Sequence, residues 1–346
     1  MKTFLPLVLS AVVATQAYAA DLPETHLKVV GSVGSAASYR DFEKPFFSEE
    51  LAKDSNGKVT AEIRPFTEMG LKGGEILRLV KQGVIQYGAT IMAYMSSDDP
   101  VNEAIDLAGL TTDYDSARAV TEAYKPYLSK VYNDKFDAKL LGLWPNPAQV
   151  LYCKGNITGL KDLKGKKVRT SSRTQAEFVD AMGGTGVTMA FGEVVPALQN
   201  GVVDCAITST LSGNLAKWYE VSDHIVQLPI AWNQIVLVVG NKTWNSTDPK
   251  VQQYIETKVK SLEDRLWADV KYQTEQGYDC NQGLDSCKLG SKGAMTLVKA
   301  SDEDKALLHK TLVGEVVPKW AARSTKESVD AWNATVGKIV DVQAAK

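Results

Sequence analysis

Residues 160–214 read LKDLKGKKVRTSSRTQAEFVDAMGGTGVTMAFGEVVPALQNGVVDCAITSTLSGN, and this stretch decides the fold. Short apolar runs alternate here with segments of helical spacing that end at glycines. The predicted strands and helices follow one another at residues 167–170, 174–182, 187–190, 193–199 and 202–208. Such alternation predicts an α/β fold with a largely parallel sheet.

The same alternation continues outside this stretch. A strand at residues 27–31, a helix at 70–83 and a strand at 87–92 are predicted toward the N-terminus. The chain therefore contains two halves rich in βα units. These halves meet near Asn146 and again near Trp232.

The longest helical pattern lies at residues 249–277 and keeps its apolar residues on one side. At roughly 1.5 Å per residue such a helix is about 40 Å long, which is enough to brace two domains. We therefore expect two domains, each built from separate segments of the chain. The predicted bounds are a signal peptide at 1–19, domain I at 20–146 and 232–270, and domain II at 147–231 and 271–346, the last with the C-terminal helices.

The first residues have the pattern of a secretory signal peptide. Lys2 supplies a positive start, residues 4–14 are apolar, and Ala17-Tyr18-Ala19 forms a small-x-small cleavage site. The apolar run is too short to anchor the protein in a bilayer. We therefore expect a soluble protein that is exported to the periplasm. A net charge of −2 gives no sign of the basic surface that nucleic-acid binding requires.

Export makes disulfide bonds possible for the four cysteines. Cys280 and Cys287 flank a short polar loop, so a local bridge between them is predicted. Cys153 and Cys205 lie in apolar, strand-like surroundings and are either buried free thiols or a second bridge. No C-x₂-C pair occurs, which disfavours a zinc site.

The sequence contains none of the patterns that mark a catalytic or metal centre. The three histidines do not pair at metal-ligand spacing, and neither a G-x-S-x-G elbow nor a phosphate-binding loop occurs. Without a nucleophile–base pair, the sequence predicts neither an enzyme nor a bound cofactor.

Arg169 is the strongest candidate for a functional residue. It ends the predicted strand at residues 167–170, and hydroxyl residues lead from there into a helix. A guanidinium at this position, next to the N–H groups of a helix start, can bind an anion such as a carboxylate. The alternative interpretation is a solvated basic strand edge.

Several motifs resemble those of the DctP-like solute-binding subunits of TRAP transporters. They are GLKDLKGKKVR at 159–169, AMGGTGVTMAFGEVVPALQNGVVD at 181–204, KWYEVSDHIV at 217–226 and NGKVTAEIRPFTEMGLKGGEILRLVKQGVIQYG at 56–88. The resemblance covers most of the chain. It implies a periplasmic binding protein of two α/β domains, with a ligand cleft between them and a long helix that braces both.

The resemblance also implies roles for individual residues. The family's arginine, which pairs with the ligand carboxylate, falls on Arg169, and an aromatic residue against the ligand falls on Phe191. Thr208 stands where the family often has asparagine. Residues 144–152, WPNPAQVLY, lack the second arginine that some members carry. A monocarboxylate, possessing an apolar or aromatic face, is therefore the expected ligand. The further candidate pocket residues are Ser35, Glu75, Tyr94, Ser172 and Trp232.

The implied function is capture of a small organic acid by a monomeric protein. Hinge closure of the domains would then present the ligand to the membrane permease of a TRAP transporter. Two alternatives remain open from the sequence. They are a ligand sensor that docks on a membrane receptor and, less favoured, an exported enzyme that uses the same cleft.

Overall fold

A computed structural model describes residues 21–346, so the predicted signal peptide at 1–19 lies outside the described residues. Two separate sheets form the framework of this part of the chain. The five-stranded sheet, which we call the first sheet, has the order β2-β1-β3-β10-β4, and the six-stranded second sheet has the order β11-β9-β5-β8-β6-β7. The strands are β1 Thr25–Gly31, β2 Val59–Pro65, β3 Tyr87–Ile91, β4 Ala138–Trp144, β5 Gln149–Cys153, β6 Lys167–Thr170, β7 Thr185–Thr188, β8 Cys205–Ser209, β9 His224–Gln227, β10 Ile235–Gly240 and β11 Thr296–Lys299.

Both sheets are mixed, but in each sheet one strand runs against all the others, so the prediction of a largely parallel sheet is confirmed. Strand β10 runs antiparallel to both β3 and β4, and β5 runs antiparallel to both β8 and β9. These are the strands by which the chain enters one sheet after leaving the other.

Helices cover the sheets and connect the strands. The α-helices are α1 Leu51–Asp54, α2 Ile76–Lys81, α3 Tyr114–Phe136, α4 Arg173–Ala181, α5 Val194–Gln199, α6 Thr210–Leu215, α7 Asn241–Ser246, α8 Pro249–Gln282, α9 Asp302–Thr311, α10 Val317–Arg323, α11 Lys326–Ala334 and α12 Val336–Val340. Short 3₁₀ segments occur at Phe66–Met69, Met92–Met95, Pro100–Glu103, Leu160–Leu163, Phe191–Glu193 and Trp218–Glu220. Three π-helical segments lie at Ser38–Glu43, Phe46–Glu50 and Leu312–Val316.

The helix predicted at residues 70–83 is shorter in the structure. Gly70 and Gly73 have φ of 74° and 93°, a left-handed conformation that a right-handed helix cannot include. Helix α2 therefore starts only at Ile76. The 23-residue helix α3 is not predicted from the sequence, where Pro126 interrupts the helical pattern.

The chain crosses between the two sheets through short links. It leaves β4 at Trp144 and enters β5 at Gln149, and it leaves β9 at Gln227 and enters β10 at Ile235. The long helix α8 contacts β4 of the first sheet and β9, β11 and the adjoining α6 of the second. It therefore touches both halves of the molecule.

The C-terminal helices also contact both halves. The π-helical segment Leu312–Val316 packs on α4, which follows β6 of the second sheet. Farther on, the indole N–H groups of Trp320 and Trp332 donate hydrogen bonds to the carbonyls of Pro100 and Ala104, which precede α3. The sequence-based domain bounds do not anticipate this second contact, and they stay a prediction.

Both pairs of cysteines form disulfides. The predicted Cys280–Cys287 bridge closes the end of α8. Cys153 and Cys205 lie directly opposite each other on the antiparallel strands β5 and β8 and form the second bridge, which decides between the two alternatives. Within residues 21–346, no helix has the length and apolar character needed to cross a membrane.

Candidate ligand site

A cavity lies between the two sheets, beside both crossings of the chain. Its lining is mostly polar and neutral, with a few apolar side chains on the first-sheet side. It leaves about 30 Å³ for the centres of water-sized molecules, so the two halves stand close together around it. The lining residues are Val33, Ser35, Ala36, Ile91, Tyr94, Asn146, Gln149, Arg169, Ser171, Phe191, Thr208, Ser209, Ser212, Asn233 and Ile235.

Arg169 enters this cavity from β6, which lies between β7 and β8. Only 1% of its surface is exposed. Its Nη1 donates a hydrogen bond to the carbonyl of Ile207 (2.7 Å), and its Nε and Nη2 donate to the carbonyl of Met189 (3.2 and 3.0 Å). These bonds hold the plane of the guanidinium at one orientation.

The guanidinium has no acidic partner among the described residues. Of its five N–H groups, three bind backbone carbonyls, and a further hydrogen bond joins the guanidinium to the Tyr94 phenol. Among the described residues, none forms an ion pair with Arg169; the phenol of Tyr94 and the more distant Glu193 carboxylate affect its pKa. Burial nevertheless lowers the pKa of Arg169, because removal from water disfavours the cation. Tyr94 and Glu193 act in the opposite direction.

Aromatic rings form one wall of the site. Phe191 stacks on Trp218 with ring centroids 5.5 Å apart and an interplanar angle of 24°. Arg169 in turn lies over the Trp218 ring, with Cζ 5.9 Å from its centroid. Trp218 was not among the predicted site residues, and it supports both Arg169 and Phe191 from behind.

The structure brings five of the eight predicted site residues together in the cavity. These are Ser35, Tyr94, Arg169, Phe191 and Thr208. Glu75 and Ser172 lie farther out, in a wider pocket at the mouth of the cleft that also contains Tyr94. The hydroxyl of Ser172 caps helix α4 rather than facing the cavity.

Trp232 does not line the cavity, which differs from the prediction. Its indole N–H donates to the carbonyl of Thr111 (3.2 Å), and its ring is buried in a hydrophobic cluster. The next residue, Asn233, lines the cavity instead. Asn233 has a positive φ of 46° and lies outside the strands, two residues before β10 begins.

Asn146, on the other crossing, and Gln149, the first residue of β5, also line the cavity and were not predicted from the sequence. The backbone N–H of Asn146 donates to the carbonyl of Trp232, and the N–H of Gln149 donates to that of Ala231. The two crossings are therefore hydrogen-bonded side by side. The available signal was the position of these amide residues where the predicted halves meet.

A buried carboxyl group holds the second crossing in place. Asp106 accepts hydrogen bonds from the backbone N–H groups of Trp232 and Asn233, both at 2.7 Å. Burial raises the pKa of Asp106 to about 7, although these hydrogen bonds favour the charged form. Asp106 thus positions a residue of the cavity without lining the cavity itself.

Comparison with known proteins gives one family. The sequence model described as bacterial extracellular solute-binding protein, family 7 (DctP), matches residues 35–311. The C4-dicarboxylate-binding periplasmic protein DctP of Rhodobacter capsulatus is 28% identical over 66% of this chain and 69% of that protein. The sialic acid-binding periplasmic protein SiaP of Vibrio cholerae is 22% identical over 79% of this chain and 85% of that protein.

Solved structures share the fold. DctP6, a Bordetella pertussis extracytoplasmic solute receptor binding pyroglutamic acid, has a TM-score of 0.79 at 22% identity and covers 91% of this chain and 100% of that chain. The ectoine-binding protein of the Halomonas elongata TRAP transporter has a TM-score of 0.79 at 18% identity and covers 92% of this chain and 100% of that chain. The architecture is therefore that of two-domain TRAP solute-binding proteins.

Proposed function

Because this chain belongs to family 7 of the bacterial extracellular solute-binding proteins, we propose that it captures a small organic carboxylate in the cavity between its domains. The two short crossings, at residues 145–148 and 228–234, are the proposed hinge. The cavity leaves about 30 Å³ for the centres of water-sized molecules, so the domains have to separate before an organic acid can enter.

The observation that carries the proposal is the state of Arg169. A buried cation without a counter-ion has lost its hydration and gained no compensating charge. Arg169 is in this state, since its guanidinium binds only backbone carbonyls and the neutral Tyr94 phenol. A ligand carboxylate would supply the missing charge and accept hydrogen bonds from the guanidinium.

We propose a monocarboxylate as the ligand. Arg169 is the only charged side chain among the residues that line the cavity. A second carboxylate in the same closed space would be buried without a cationic partner, which is costly. The ring of Phe191 and the side chains of Ile91 and Ile235 offer contact to an apolar or aromatic face of the ligand.

The proposed setting is the periplasm, after cleavage of the predicted signal peptide at residues 1–19. The closed, loaded protein would dock on the membrane permease of a TRAP transporter and release its ligand there. Hinge closure supports the affinity of the Arg169–carboxylate pair, because exclusion of water strengthens the electrostatic attraction.

Titration calorimetry with a panel of organic acids tests the proposal. The panel begins with pyroglutamate, which a structural relative of this chain is described as binding, and includes plain monocarboxylates and dicarboxylates. The Arg169→Ala variant should bind the best ligand more weakly by about 2–5 kcal/mol, because a buried charge-assisted contact is lost. Arg173→Ala is a matched control, since Arg173 lies at the mouth of the cleft rather than in the cavity.

Two results would count against the proposal. If Arg169→Ala bound the ligand as tightly as the wild type, the assignment of the carboxylate site would be wrong. If the tightest ligand were a dicarboxylate that bound the wild type more tightly than its half-ester does, the monocarboxylate assignment would be wrong. Carboxylate capture would still stand.

A further inference from the structure

Asn233 occupies an unusual place in the fold. It lies on the second crossing between the sheets, it lines the cavity, and only 5% of its surface is exposed. Its backbone adopts a left-handed conformation, φ 46°, which asparagine tolerates better than most residues. A side-chain amide this deeply buried needs partners for all of its polar atoms.

The hydrogen bonds around Asn233 fix which end of the amide faces the protein. Its Nδ2 donates to Gln149 Oε1 and to Ser171 Oγ, both at 3.0 Å. Both oxygens are available as acceptors, because Gln149 Nε2 donates to the carbonyl of Pro147 and Ser171 Oγ donates to Gln175 Oε1. Both N–H groups of the Asn233 amide are therefore used within the protein.

The backbone of Asn233 is satisfied as well. Its N–H donates to Asp106 Oδ2 at 2.7 Å, and its carbonyl accepts from Asn146 Nδ2 at 2.9 Å. The side-chain oxygen Oδ1 has only a 3.5 Å approach from Ser171 Oγ, whose proton is directed to Gln175. Oδ1 is thus the atom of Asn233 that keeps acceptor capacity, on a residue that lines the cavity.

We propose that Asn233 determines ligand specificity by accepting a hydrogen bond from an N–H or O–H group of the ligand. The inference rests on the proposed function, in which Arg169 binds the carboxylate. A carboxylate, ketone or lactone oxygen opposite Oδ1 would place two acceptors together and leave Oδ1 unpaired. The ligand class is therefore a monocarboxylate that carries a neutral donor, such as a lactam acid or a hydroxy acid.

Matched ligand pairs test this inference by titration calorimetry. One pair is pyroglutamate and its lactone analogue 5-oxotetrahydrofuran-2-carboxylate, in which an oxygen atom replaces the ring N–H. The other pair is lactate and 2-fluoropropanoate. The donor-bearing member should bind about 10- to 100-fold more tightly, because a site built to accept a hydrogen bond rejects the analogue that lacks it.

Two variants test whether Asn233 is responsible for the preference for the donor-bearing ligand. The glycine in Asn233→Gly can adopt the positive φ and lacks the side-chain amide, so the two members of each pair should bind about equally. Arg169→Ala should weaken both members of a pair in parallel and keep their ratio. Thermal unfolding without ligand checks that Asn233→Gly is folded; if it is not, the wild-type ratios alone decide.

The possible outcomes distinguish a failure of the role of Asn233 from a failure of the proposed function. Equal binding of lactam and lactone, or an unchanged ratio in Asn233→Gly, overturns the role of Asn233 while Arg169-dependent binding keeps the function standing. Tight, Arg169-dependent binding of a carboxylate without any N–H or O–H also overturns it. If no carboxylate of the whole panel binds, the proposed function itself fails.

Discussion

Two arginines of this protein, the buried Arg169 and the half-buried Arg323, are held in opposite ways. Arg323, at the end of α10, donates to the carboxylates of both Glu103 and Glu177 at 2.7–3.2 Å. Arg169, in the cavity, binds backbone carbonyls and the Tyr94 phenol, and it forms no ion pair with a described residue. Since the cost of burying the same cation is offset by carboxylates at only one of these sites, the other is suited to receive an anion.

The difference in partners also corresponds to a difference between a structural arginine and one proposed to bind a ligand. Glu103 precedes α3 and Glu177 lies on α4, so Arg323 joins the C-terminal helices to segments associated with both sheets. Its side chain is 16% exposed, and that of Glu103 is nearly inaccessible. Arg323 therefore completes the fold with partners of its own chain, whereas we propose that Arg169 receives its partner from outside.

The largest expected effect is that of Arg323→Ala on stability. Removing one member of a buried ionic cluster leaves the carboxylate of Glu103 buried and unpaired, and Glu103 Oε1 already lacks a hydrogen-bond partner. The free energy of unfolding should fall by about 3–5 kcal/mol. Urea unfolding measures it. A loss below about 1 kcal/mol would mean that the cluster is no more valuable than an exposed ion pair.

A pH titration extends the comparison to a buried acid without a cationic partner. Glu43 accepts hydrogen bonds from the N–H (2.8 Å) and hydroxyl (2.6 Å) of Ser32, yet burial raises its pKa to about 7. The folded state therefore holds a proton that the unfolded state releases above its ordinary pKa. This contribution to stability is complete below about pH 4.5 and is lost as the pH rises through 7.

The measurement is unfolding free energy between pH 5 and pH 8 for the wild type and for Glu43→Gln. The wild type should lose on the order of 3 kcal/mol more than the variant over this range. Asp106, whose pKa burial also raises to about 7, should contribute a similar slope that Asp106→Asn removes. Parallel profiles for wild type and Glu43→Gln would contradict the assignment.

A third prediction concerns the stability that ligand adds. Arg169→Met should change the unliganded protein less than Arg323→Ala does, because replacing an uncompensated buried charge with an apolar side chain is often nearly neutral. At a ligand concentration 100 times the dissociation constant, the wild type should gain about 2.7 kcal/mol. If Arg169→Met weakens binding by about 2–5 kcal/mol, the variant should gain less than about 1 kcal/mol at the same concentration. A thermal shift retained in Arg169→Met would show that Arg169 is not the carboxylate site.

The sequence predicts those structural features that are determined by a short contiguous stretch of residues. Arg169 was predicted because a basic strand followed by hydroxyls and a helix is a contiguous pattern. Strand β6, Lys167–Thr170, was predicted with the bounds that the structure has. The α/β class and the two crossings near Asn146 and Trp232 follow from the same local alternation.

The role of Asn233 has no such local pattern. It depends on Asp106, Gln149 and Ser171, which the fold brings together from three distant segments. Trp232 was predicted in its place because aromatic residues often line pockets, but its indole is buried in a hydrophobic cluster and donates to the carbonyl of Thr111. Long-range hydrogen bonds decided the site at this position, and the sequence pattern could not contain them.

The smallest expected effect completes the comparison with a third arginine. Arg265 pairs with Glu50 at 2.7 Å, in geometry as favourable as that of Arg323, but the two side chains are 43% and 36% exposed. Arg265→Ala should therefore cost only about 0–1 kcal/mol of unfolding free energy, and added salt should reduce that cost further. Urea unfolding at low and high salt measures both. A loss comparable to that of Arg323→Ala would show that pairing alone, rather than pairing combined with burial, sets the contribution of an arginine in this fold. The burial of Arg169 without a carboxylate partner would then no longer mark it as an anion site.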